Sequence, residues 1–160
     1  VAVVGIGQEL RGDDAVGVKA ARALLRRQRA GSDISRPVSL LVVEAGPMPE
    51  SCTGPLRRFA PDLAILVDAA DMGAAPGTVA WLDWRDADAA GSTHGLPLSL
   101  FAGYLTTEIG CTVLLLGIQP ADLTFGAPVS PPARRALRSV IQGLSTLLLD
   151  ADGGGRCFLR

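Results

Sequence analysis

Apolar residues run along this chain in two rhythms. Short runs of consecutive aliphatic and β-branched residues at 1–6, 39–43, 63–67 and 112–116 predict strands buried on both faces. Between them the apolar positions recur at helical spacing. Val16, Val18, Ala21, Leu24 and Leu25 follow Asp13 and Asp14, whose carboxylates suit a helix start. Further helices are predicted over 98–108 and, strongly amphipathic, over 133–149. Residues 49–59 predict a short helix interrupted near Gly54-Pro55, since proline removes a backbone donor. Residues 78–82 predict a short edge strand, and 83–92 reads as polar and irregular. Gly- and Pro-containing stretches at 31–37, 76–77 and 121–132 mark loops.

Strands that alternate with helices and are themselves wholly apolar predict a mostly parallel sheet covered on both faces. In such sheets the site lies outside the carboxyl ends of the strands. The 160 residues are one domain's worth. A single domain is expected over 1–150, followed by a mobile Gly-rich tail at 151–160.

Composition narrows the classes of partner. Lys plus Arg number 15 against 16 Asp plus Glu, so no cationic excess points to nucleic acid. Arginines cluster at Arg22, Arg26, Arg27 and Arg29, and again at Arg134, Arg135 and Arg138. These read as solvated helix faces, with docking of a partner left open. Cys52, Cys111 and Cys157 are odd in number and widely spaced, which fits a reducing compartment better than a disulfide framework. Cys111 opens an apolar strand and reads as core filling, and Trp81 and Trp84 read as core or edge packing. No apolar run approaches the ~20 residues of a membrane span, and the apolar start is too short for a signal peptide. A cytoplasmic protein without membrane or nucleic-acid partners is expected.

Three polar residues stand where the sheet rule puts a site. Asp14 follows the first strand, Asp68 ends the third, and His94, the single histidine, sits in Ser92-Thr93-His94-Gly95-Leu96-Pro97. Two carboxylates and an imidazole form a donor set of borderline hardness suited to a first-row metal, with coordination positions left over. Each residue has a plainer role open to it: a helix cap for Asp14, a turn residue beside Asp71 for Asp68, a surface position for His94. Asp13 and Asp71 read as capping or supporting residues. HExxH, paired-cysteine, GxSxG and P-loop patterns are absent. Gly5, Gly7 and Gly12 do not keep dinucleotide-loop spacing, and Asp13-Asp14 at the helix start would repel a pyrophosphate.

Four segments resemble, in order, the motifs of the hydrogenase maturation proteases. They are Gly5-Ile6-Gly7-Gln8-Glu9-Leu10-Arg11-Gly12-Asp13-Asp14-Ala15-Val16-Gly17, Val67-Asp68-Ala69-Ala70-Asp71-Met72-Gly73 with Pro76-Gly77, Thr93-His94-Gly95-Leu96-Pro97-Leu98, and Leu116-Gly117-Ile118-Gln119-Pro120. The third is most similar to the branch that serves the formate-hydrogenlyase hydrogenase. The resemblance implies a three-layer α/β/α sandwich around a five-stranded, mostly parallel sheet with one antiparallel strand. It implies Asp14, Asp68 and His94 as metal-contacting, catalytic residues. It implies as substrate the nickel-loaded precursor of a nickel–iron hydrogenase large subunit, which loses a C-terminal extension. Nickel would then arrive with the substrate, no organic cofactor would be bound, and the protease is expected to be a monomer. Gln8 departs from the family's usual Asn and shifts the amide by about one methylene.

On this reading His94 must be neutral to ligate, so activity should fall as pH drops through its pKa. His94→Ala should abolish processing and spare the fold. Whether the metal or a carboxylate activates the water stays open. A non-catalytic binding module and a purely structural α/β domain are the rival classes.

Overall fold

The computed structural model describes residues 1–30, 38–85 and 97–149. Strand β1 (Ala2–Ile6) leads through a 3₁₀ turn at Gly12–Ala15 into helix α1 (Val16–Ala30). Strand β2 (Leu41–Gly46), a 3₁₀ turn at Pro49–Cys52 and helix α2 (Thr53–Phe59) follow. Strands β3 (Leu63–Ala69) and β4 (Val79–Leu82) come next, then helix α3 (Leu98–Tyr104), which a π-helical turn at Leu105–Ile109 extends. Strand β5 (Thr112–Ile118) and helix α4 (Pro131–Leu148) complete the described elements.

The strands form a five-stranded sheet in the order β2-β1-β3-β5-β4. Every pair is parallel except β4 with β5, so the short edge strand expected at residues 78–82 is also the one antiparallel strand that the resemblance implied. Successive side chains point to opposite faces, so each strand feeds two cores. Val3, Ile65, Val67, Leu116 and Ile118 pack in one layer with α1 and α4. Ala2, Val4, Leu66, Val113 and Leu115 pack in the other with α2 and α3, through Leu56, Leu98 and Phe101. This is the expected three-layer sandwich. Each fully buried Leu or Phe contributes about 1.5–3 kcal/mol, enough to hold the strand ends rigidly.

Several boundaries moved for identifiable reasons. β3 and β5 each run two residues past their apolar runs, because their ladder continues through Asp68 with Gly117 and Ala69 with Ile118. Asp68 therefore sits on the last turn of the pleat rather than after it. β2 starts later than residue 39 and includes Glu44, which an edge strand can turn to solvent. The interruption expected near Gly54-Pro55 does not occur. Pro55 is the third residue of α2, where the N–H has no intrahelical partner to lose. Helix α4 begins before residue 133, because the Ser130 hydroxyl caps Ala133 N at 3.3 Å and Pro131 fills the first position.

Helix α1 lies unusually close to the sheet. A Cβ on Gly5 would stand 2.2 Å from Gly17 O, and one on Gly17 would stand 2.1 Å from Val67 O. Two glycines facing each other thus let the start of α1 settle onto the ends of β1 and β3. Cys52 and Cys111 are buried and unbridged, consistent with the core role read for Cys111. Trp81 lies exposed on the β4 edge, whereas Trp84 packs against the second core. No described helix is long and apolar enough to cross a membrane. His94, Cys157 and the 151–160 segment lie outside the described residues.

Candidate active site at the carboxyl end of the sheet

The chain reverses its winding between β1 and β3. From β1 it passes by α1 to β2 on one side, then returns by α2 to β3 on the other, with the two helices on opposite faces. Such a reversal opens a crevice outside the carboxyl ends of the two strands. Asp14 and Asp68 stand at its two sides. Asp14 belongs to the 3₁₀ turn after β1, and that turn packs against β3. Asp68 is the penultimate residue of β3.

Both carboxylates are buried, Asp14 at 1% and Asp68 at 4% exposure. Burying a carboxylate is costly without hydrogen bonds or a positive partner. Asp14 Oδ2 accepts the Gln8 backbone N–H at 2.8 Å, and Asp68 Oδ1 accepts Ala69 N–H at 2.8 Å. The Gln8 contact runs through the main chain, so the departure from Asn at this position leaves it intact. Gly7 makes the turn possible. Its φ is +127°, and a Cβ there would stand 1.8 Å from Asp14 O. Two buried carboxylates at neighbouring strand ends suit a cation and disfavour the phosphates of a nucleotide.

Asp13, adjacent to Asp14, does something different. It is fully buried, and its carboxylate accepts Ala121 N at 2.7 Å, Asp122 N at 3.2 Å, Ser130 N at 2.6 Å and Ser130 Oγ at 2.8 Å. Its own N–H donates to Asp122 O at 2.8 Å. This residue ties the loop between β5 and α4 onto the loop between β1 and α1. Of the capping and supporting roles read from sequence, these bonds fit the supporting one, with every partner of the carboxylate more than a hundred residues away.

Gln119, next after β5, ties down the loop that follows Asp68. Its Oε1 accepts Met72 N at 2.6 Å and Ala74 N at 3.2 Å. Its Nε2 donates to Asp71 Oδ1 at 3.1 Å and Pro120 O at 3.4 Å. The bond from Gln119, helped by Gly73 N–H, holds the exposed Asp71 carboxyl below its usual range. Sequence reasoning named Asp71 as a supporting residue and missed Gln119. The available signal was a polar residue closing an otherwise apolar strand, the same signal that singled out Asp68.

The comparisons agree on one family. The model of the hydrogenase maturation protease family matches residues 20–146. The chain belongs to the hydrogenase maturation protease family. The hydrogenase 3 maturation protease of Escherichia coli K12 is 32% identical over 141 residues, covering 87% of this chain and 85% of that one. The crystal structure of HycI, a NiFe hydrogenase maturation protease from Thermococcus kodakarensis KOD1, superposes with a TM-score of 0.80 at 31% identity. It covers 93% of this chain and 92% of that one. The solution structure of the endopeptidase HycI from Escherichia coli gives a TM-score of 0.75 at 28% identity, covering 94% and 97%. As a hydrogenase maturation protease, the chain is a hydrolase of peptide bonds, an endopeptidase in hydrogenase maturation. The likeness to HycI fits the formate-hydrogenlyase branch that residues 93–98 suggested.

Proposed function

We propose that this protease removes the C-terminal extension from the nickel-loaded precursor of a nickel–iron hydrogenase large subunit. Asp14 and Asp68, joined by His94, complete the coordination of a nickel ion that the precursor itself holds. The observation that carries this reading is the pair of buried carboxylates flanking the crevice between β1 and β3. Oxygen and imidazole donors complement a borderline first-row ion whose remaining positions are filled by the substrate.

The arrangement would make nickel a condition of binding. A precursor without the ion lacks the metal contacts to these oxygen donors and binds more weakly, which disfavours the wrong complex. Hydrolysis then adds water across the scissile amide. The hydroxyl goes to the carbonyl carbon and a proton to the leaving nitrogen. A carboxylate at the crevice takes the proton from the attacking water as general base, oriented for Asp14 by the Gln8 N–H.

The test is cleavage of a purified large-subunit precursor, prepared with and without nickel, followed by mass measurement of its C-terminus. Loss of the extension in the nickel-loaded sample alone is expected. Asp14→Asn or Asp68→Asn should lower that cleavage by at least about a hundredfold. Equal cleavage of both precursors would remove nickel from the recognition. Binding without cleavage would make the chain a binding module. Undiminished cleavage by both variants would move the active site elsewhere.

A further inference from the structure

We propose that the loops beside this crevice form a docking strip for the precursor, in which Leu10 and Phe125 grip an apolar side chain and Lys19 and Arg134 receive an acidic one. The inference rests on the proposed function, because it takes the same polypeptide as occupant.

Leu10 is 57% exposed and Phe125 is 71% exposed. Isolated exposed apolar residues are ordinary, but these two stand on loops that hydrogen bonds join together. Gly126 N–H donates to Leu10 O at 2.7 Å. Two residues from Leu10, Gly12 approaches the second loop so closely that a Cβ would stand 2.4 Å from Asp122 O. The four bonds to the Asp13 carboxylate close the seam. From the other side, Arg22 Nη1 reaches Glu9 Oε1 at 2.6 Å and Arg22 Nη2 reaches Glu44 Oε2 at 2.7 Å. Rigid loops that hold large apolar side chains out to water are pre-organised to bind, since little conformational freedom remains to be lost.

The strip continues into a groove of about 400 Å³ lined by Glu9, Lys19, Val129, Arg134 and Leu137 among others. Its floor is apolar through Val129 and Leu137. Glu9, the carboxylate that lines it, already carries the Arg22 guanidinium. The balance of the lining is therefore cationic, from Lys19 and Arg134. An extended segment with an apolar residue near the cut and an acidic residue further along matches that order of surfaces. The loop that carries Leu10 also carries Asp14, so a polypeptide whose scissile bond reaches the carboxylates passes beside this strip.

The experiment measures precursor cleavage and precursor binding for the wild type, for Leu10→Ser with Phe125→Ser, and for Lys19→Gln with Arg134→Gln. All four side chains lie outside the crevice, and thermal unfolding checks that the fold is kept. The first pair should raise KM about tenfold with kcat nearly unchanged, the loss expected for one apolar contact. The second pair should raise KM by a smaller factor and flatten its dependence on salt. An unchanged KM in the first pair, with wild-type cleavage intact, overturns the docking strip and leaves the proposed function standing. Wild-type protein that binds the precursor without cutting it, while the first pair binds about tenfold more weakly, supports the strip and overturns the protease reading. Wild-type protein that neither binds nor cuts a matched precursor overturns both.

Discussion

The two ends of the sheet are built on different principles. Around the middle and amino ends of the strands, the two cores are filled by aliphatic side chains together with Phe101, Cys52 and Cys111. At the carboxyl ends, Asp13, Asp14, Asp68 and Gln119 are buried, four of the five buried polar residues among those described. Apolar packing is non-directional and tolerates exchange of similar volumes, whereas a buried carboxylate or amide needs partners in set places. The molecule spends stability at one end only, and that end holds the crevice. Within it the polar residues divide again. Asp13 and Gln119 tie distant loops together, while Asp14 and Asp68 accept nearby main-chain N–H groups after β1 and at the end of β3.

That division can be broken most directly at Asp13. Asp13→Asn keeps the shape but replaces one carboxylate oxygen by an NH₂ group, which then faces either Ser130 N or the three donors Ala121 N, Asp122 N and Ser130 Oγ. A loss of about 3 kcal/mol in unfolding free energy is expected, measured by denaturant titration. A loss below about 1 kcal/mol would mean that the seam between the two loops is not held by this carboxylate. Gln119→Ala comes next. It should cost about 1–2 kcal/mol and speed hydrogen exchange at Met72 and Ala74, whose N–H groups lose their acceptor. Unaltered exchange at those amides would assign the stiffness of that loop to its backbone bonds instead.

The smallest effect concerns the exposed network on the outer side of the first loop. The hydrogen bond from Arg22 holds Glu9 below its ordinary value of 4.5, with the charges of Arg22 and Lys19 adding to it. A depressed carboxyl pKa contributes stability that is fully present above the unfolded value and is lost as pH falls through the folded one. Stability should therefore decline on acidification below about pH 4.5 by less than about 1 kcal/mol from this network, since it is largely solvated. Arg22→Gln should remove that part of the decline, and added salt should weaken it in the wild type. An identical acid profile in Arg22→Gln would show that the network contributes nothing measurable.

The residues that sequence could and could not interpret follow the same boundary. Runs such as Ala2–Ile6 announced buried strands because both faces of a central strand must be apolar, a requirement visible one residue at a time. Asp68 stood out because it closes an apolar run at a strand end, and Asp14 because it opens the helix after the first strand. The partners of Asp13 were not visible, since Ala121, Asp122 and Ser130 are contributed by a loop more than a hundred positions away. Gln119 was quoted within a motif, but the amides it gathers at Met72 and Ala74 carry no mark of that bond in their own side chains.

By itself, then, the sequence determined the elements, the mostly parallel character of the sheet and a short strand at residues 78–82. These depend on local periodicity and on the handedness of strand–helix connections, both written in short stretches of residues. Only the tertiary structure decided that the winding reverses between β1 and β3, the strands that Asp14 follows and Asp68 ends. It alone showed that Asp13 bonds a distant loop, and that the main chain next to Phe125 bonds Leu10. Such pairings are set by how whole layers pack, and a carboxylate's partner across the fold leaves no periodic trace along the chain.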